Sequence, residues 1–168
     1  MRHDTCHPET FREIFSRLAG ELRRFAFYKS GDWAASEDTA QEAFLRLWKN
    51  CREVPPDKAR AFLYTTANNL FIDSARHQKV HFRFAEHEKL APKGHSPSPE
   101  TELENREMDA LLERALAALP EPQRVVFLMS RVEKLRYHEI AERLGLSVKA
   151  VEKRMHFALL ELRKLTEL

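Results

Sequence analysis

The chain has 168 residues, a formal net charge of +2 and 43% hydrophobic side chains, enough for one medium domain or two small helical ones. Only four glycines argue against a turn-rich all-β fold, and alanine, leucine, glutamate and arginine dominate, a helix-forming composition. So small a net charge excludes a bulk polyanion binder and requires any nucleic-acid surface to be local.

In chain order, a first helix is predicted from Pro8, a residue tolerated in an opening turn. Phe11, Ile14, Phe15, Leu18, Leu22 and Phe25 recur at helical spacing as its buried stripe, and Gly31 ends it. Ser36 is the expected N-cap of a second helix, with Glu37 and Asp38 in its first turn. That helix is expected to bury Ala40, Phe44, Leu47 and Trp48 and to end near Asn50. Val54-Pro55-Pro56 cannot continue a helix, because proline lacks the amide donor. A third helix is predicted over roughly 57–78, with Phe62, Leu63, Thr66, Ala67 and Leu70 facing inward. Three such helices make a compact first domain.

Between about Phe84 and Arg106 the periodicity lapses, and residues 91–99 have the proline-rich composition of a linker. From Glu86 to Glu113 eight acidic side chains face three basic ones, a local net of −5. Periodicity returns with Met108, Leu111, Leu112, Ala115, Leu116 and Leu119. Pro120 and Pro122 stop that helix, and another is predicted from Gln123 to Glu133 around Val126, Phe127 and Met129.

The stretch from Tyr137 to Arg154 has the parts of a helix-turn-helix. Ile140, Ala141 and Leu144 form the inner face of a short helix, and Gly145 supplies the left-handed turn. Leu146 plugs the turn, and Ser147 caps a second helix that buries Val148, Val151, Met155, Ala158, Leu162 and Leu165. Its opposite face offers Lys149, Lys153, Arg154 and His156, and residues 147–164 carry a local charge of +3. Lysine and arginine on such a face supply phosphate contacts for affinity and guanine-edge contacts for sequence preference.

Chemistry of other kinds finds no support. The N-terminus lacks an apolar run of signal-peptide length, and no stretch approaches the roughly 20 apolar residues of a membrane span. There is no phosphate-binding glycine loop, no HExxH and no nucleophile motif, so no catalytic residue and no cofactor is expected. Cys6 and Cys51 form no CxxC pair, which points to a reducing, cytoplasmic setting. His3, Cys6 and His7 lack a fourth ligand and read as a disordered terminus, so no metal is expected either.

These motifs together resemble the extracytoplasmic-function (ECF) sigma factors of bacterial RNA polymerase over nearly the whole chain. Residues 37–48 (EDTAQEAFLRLW) are similar to the family's region 2.2, and residues 61–73 (AFLYTTANNLFID) to regions 2.3 and 2.4. The ALAALP of 115–120, QRVVF of 123–127 and the helix-turn-helix look like region 4. The resemblance implies an all-α, non-enzymatic protein: a region 2 three-helix bundle over 1–83, a flexible acidic linker over 84–106, and region 4 over 107–168.

It also implies partners. Asp38, Gln41, Glu42 and Arg46 occupy the positions that dock on the β′ clamp helices, and region 4 would meet the β flap. The loop from Cys51 to Lys58 and the helix after it would meet the −10 element, with Asn68, Asn69, Asp73, Arg76, His77 and Lys79 as contacts. Ser147, Lys149, Ala150, Lys153, Arg154, His156 and Phe157 would meet the −35 element. An anti-sigma factor would clamp the two domains together. Many members carry tryptophan at the position of Phe62 and arginine near Glu152 and Phe157, so −35 preference cannot be borrowed from them. A stand-alone helix-turn-helix regulator would need only the second domain, and a sigma mimic would lack the basic face.

Overall fold

The structure, a computed structural model, describes residues 4–74 and 98–167, and these form seven α-helices and no strand. Helix α1 (Pro8–Ser30) opens on Pro8 and stops at Gly31, whose φ of 71° lets its N–H turn back onto the Phe27 carbonyl at 2.7 Å. Helix α2 (Trp33–Lys49) starts three residues before the expected cap. Asp32, directly after the glycine turn, accepts the Ala35 N–H at 3.1 Å, while Ser36 is buried and donates to the Asp32 carbonyl. The left-handed glycine reverses the chain so tightly that the first side-chain acceptor after it takes the cap.

A 3₁₀ turn (Pro56–Lys58) leads into α3 (Ala59–Ser74), and the rest of the predicted third helix lies outside the described residues. Leu18, Leu22, Ala43, Leu47 and Leu63 form the centre of the first bundle. On α3 Leu63, Thr66 and Ala67 are buried as expected, Phe62 and Leu70 are half-buried, and Tyr64 is buried on a different side. On α1 the stripe holds at Ile14, Leu18, Leu22 and Phe25, but Phe15 is exposed.

The N-terminus is ordered from Asp4, against the expectation of a loose end. The Thr5 side chain is buried, with its hydroxyl donating to the Val54 carbonyl at 2.5 Å, and Cys6 and Cys51 form a disulfide with their Cα atoms 5.0 Å apart. The two cysteines are 45 residues apart in sequence, but α1 and α2 run antiparallel, so the start of one lies beside the end of the other. Closing a loop of that length stabilises the fold by about 4 kcal/mol in the chain-entropy picture.

Helix α4 (Pro99–Ala118) extends into the segment expected to be linker: Ser98 caps it, Pro99 opens it, and Glu100 and Glu102 lie in its first turn. Only Ala115 and Leu116 of this helix are buried, whereas Met108, Leu111 and Leu112, predicted to point inward, are exposed. Helix α5 (Glu121–Arg131) has Pro120 at its N-cap, directly after the end of α4, and holds Pro122 in its first turn, where proline is tolerated.

Helix α6 (Tyr137–Leu144) and helix α7 (Val148–Thr166) form the helix-turn-helix. The Glu139 carboxylate accepts the Arg136 N–H at 2.7 Å, a bond that holds its pKa below the usual carboxylate range. Gly145 has φ 65°, and the Leu146 N–H returns to the Ala141 carbonyl at 2.9 Å, closing α6. The Ser147 hydroxyl accepts the Ala150 N–H at 3.1 Å. Val151, Met155 and Ala158 are buried as predicted, while Val148 is exposed. Replacing Ser147 with Ala removes this cap, and thermal unfolding will show a loss of about 1 kcal/mol.

The two bundles share one continuous core rather than standing apart: α1 packs on α5, and α3 packs on α6.

Candidate nucleic-acid and polymerase interfaces

The outer face of α2 carries Asp38 and Gln41 exposed, followed at helical spacing by Leu45 (54% exposed) and Trp48 (46%). Glu42 and Arg46 pair with each other at 2.9 Å across one turn, a surface contact of small energetic weight. Trp48 was expected in the core. Instead it stacks edge-on against Phe11 at 5.0 Å and leaves its other side to solvent. Phe15, 48% exposed and 4.8 Å from Phe44, extends the same apolar surface onto α1. The sequence signal was available, because positions 38, 41, 45 and 48 recur on one side of a helix.

On α7 the outward side chains are Lys149, Lys153, His156 and Phe157, the last edge-on to His156 at 5.7 Å, with exposed Glu152 among them. Ser147 and Ala150 hold the helix start, and the Ala150 side chain is half-buried. Arg154 does not join this face. It is half-buried and lines a cavity of about 330 Å³ between the bundles, as does Asn68 of α3. Asn69 and Asp73 are exposed on α3, while Arg76, His77 and Lys79 lie outside the described residues.

The contact between the bundles is polar at its centre. Arg124, 1% exposed, donates from Nε to the Tyr28 carbonyl and from Nη2 to the Lys29 carbonyl, both at 2.8 Å, and from Nη1 to the Leu119 carbonyl at 3.0 Å. It thereby supplies donors to carbonyls at the end of α1 that no further turn of helix can satisfy. Burial lowers its pKa to about 10, so it remains a cation at neutral pH.

Lys29 pairs with Glu121 across the same junction, and burial pulls its pKa down. Arg143 of α6 bridges Glu21 of α1 and Glu133 at 3.6 Å each, and Glu21 also holds Arg60 at 2.9 Å. Burial raises the Glu133 pKa, while Arg24 and Arg143 pull it back. Nothing in the composition singles out Arg124, because its role depends on a helix end 95 residues earlier in the chain.

Residues 14–80 match the sigma-70 region 2 family, and residues 109–162 match sigma-70 region 4. The order and content of these two regions define a bacterial RNA polymerase sigma factor, a non-enzymatic factor of transcription initiation. The chain is 31% identical over 152 residues to the ferric citrate uptake sigma factor FecI of Escherichia coli K12, covering 90% of this chain and 88% of that one. It is 34% identical to the ECF RNA polymerase sigma factor SigL of Mycobacterium tuberculosis, covering 90% and 86%. The chain belongs to the ECF family of RNA polymerase sigma factors.

Among solved structures it is similar to CnrH in complex with the cytosolic domain of CnrY, with a TM-score of 0.63 and 25% identity over 94% of this chain and 87% of that one. The fold also matches that of the Bartonella quintana sigma factor RpoE in complex with the anti-sigma factor NepR, with a TM-score of 0.59 and 16% identity over 94% and 97%. Among the described residues no helix is long and apolar enough to cross a membrane.

Proposed function

We propose that this chain carries core RNA polymerase to a specific set of promoters from the cytoplasm, with region 4 reading the −35 element and region 2 reading and melting the −10 element. The observation that carries this reading is the outward face of α7: two lysines and a histidine follow a glycine turn and a serine cap, and Val151, Met155 and Ala158 anchor the opposite side. Asn68, Asn69 and Asp73 are the −10 candidates on α3, and extruding a base requires such polar groups beside a basic strand path.

Docking to the β′ clamp helices falls to Asp38, Gln41, Glu42 and Arg46, joined by Leu45 and Trp48 as an apolar centre within a polar rim. Region 4 would meet the β flap. An anti-sigma factor is the expected inhibitor, supported by the similarity to CnrH, which was solved with the cytosolic domain of CnrY.

Promoter binding requires the bundles to part, since Asn68, a −10 candidate, and Arg154, a −35 candidate, line one cavity between them. Polymerase would hold them at promoter spacing, so that two weak DNA contacts act as one. The test is capture by purified core polymerase. Reversing Asp38 and Glu42 to lysine lowers the captured fraction at least tenfold while circular dichroism stays unchanged. Unaltered capture rejects the α2 assignment.

A further inference from the structure

We propose that Cys6 and Cys51 form a thiol–disulfide exchange site, at which a low-molecular-weight thiol sets how firmly the loop ahead of α3 is held. Hairpin α1–α2 is closed at one end by the Gly31 turn and cross-linked at the other by this disulfide, beside the Phe11–Trp48 ring contact. Beside the cross-link, the buried Thr5 hydroxyl donates to the Val54 carbonyl. The bond from the Cys6 N–H to Asp4 at 3.2 Å is internal to the turn. The loop's own backbone bonds are local, with Glu53 and Val54 N–H groups donating to the Asn50 carbonyl at 3.0 and 3.1 Å, and Val54 is buried against the core.

Both cysteines are half-buried and line an open crevice with Trp48, Lys49, Arg52 and Glu53, and the Asp4 carboxylate stands beside Cys6. The exchange balances simply. A thiolate attacks one Sγ, the other cysteine leaves as a thiolate, and a second thiol equivalent resolves the mixed disulfide, so two electrons and two protons pass to the protein. Oxidised, the site pins the N-terminal turn to residues 50–55; reduced, it frees both. That this loop feeds the −10-reading helix, so that reduction weakens promoter opening, rests on the function proposed above.

The test equilibrates the full chain in buffers of graded glutathione to glutathione-disulfide ratio, quenches free thiols and counts them by mass. The same samples are read for amide exchange. Both cysteines should titrate together, and the Glu53 and Val54 amides should exchange at least tenfold faster once reduced. Cys6→Ser and Cys51→Ser variants should exchange at the fast rate at every ratio. Thiols that stay free throughout, or amide rates that ignore the couple, overturn the inference. In the same buffers, transcription with core polymerase should fall severalfold on reduction for the native chain only, and activity that is level across the titration also overturns it. Absence of transcription at every ratio sinks the sigma reading instead, and the thiol and amide titrations then decide the exchange site alone.

Discussion

Reversing Lys149 and Lys153 to glutamate will abolish transcription that depends on a −35 element, by on the order of a hundredfold, while capture by core polymerase stays intact. Both side chains are exposed on α7, one helical turn apart, and neither takes part in a described ion pair or in the junction between the bundles. Folding and domain contact therefore do not confound the result. Each lysine contact to phosphate or guanine is worth about 1–3 kcal/mol, and reversal adds repulsion to the loss. Adjacent Glu152 already places one carboxylate on this surface, where it can accept a bond from cytosine N4. Raising salt should weaken binding of the native chain to promoter DNA more steeply than that of the variant. Loss of polymerase capture alongside transcription would contradict the division of labour between regions 2 and 4.

Arg124→Met will open the molecule. The substitution keeps an apolar stem of similar length but withdraws the donors from the Tyr28, Lys29 and Leu119 carbonyls. Hydrogen bonds from a charged group are worth about 1.5–3 kcal/mol each, so the closed arrangement loses several kcal/mol. Lys29–Glu121 and the Arg143 bridges remain, but burial already works against the charged forms of Lys29 and Glu133. Small-angle scattering should show a larger radius of gyration with far-UV dichroism preserved, and core polymerase should bind the variant more tightly because fewer closing contacts have to be broken first. An unchanged radius would mean that the apolar contacts of α1 with α5 and of α3 with α6 suffice to hold the bundles together.

The helix-turn-helix was the most legible part of the chain, because each of its parts is local. Gly145, Leu146 and Ser147 set the turn within three residues, and the structure uses each as expected. The N-terminal helix and its glycine stop were equally readable. Errors arose where a distant element decided the outcome. Ser36 is a local exception: it looks like a cap, but Asp32, directly after the glycine turn, accepts the Ala35 amide instead. Trp48 looks like core until α1 and α2 are seen to leave one side of it uncovered. Arg154 belongs to the basic stripe by sequence, and the structure adds that it lines the junction cavity, which its own helix could not reveal.

The disulfide and the Arg124 contact were invisible for the same reason: each joins residues tens of positions apart, and no periodicity reports such a pair. The start of α4 is different. Ser98-Pro99-Glu100 is a readable helix opening, and the proline-rich run before it masked the signal.

The central claim is that polymerase gains promoter selectivity from this chain, and run-off transcription from a randomised promoter library with purified core polymerase tests it most directly. The account predicts transcripts whose templates share two separated sequence elements, with the upstream element lost when Lys149 and Lys153 are reversed. Core polymerase that yields the same background RNA with and without the protein would contradict it.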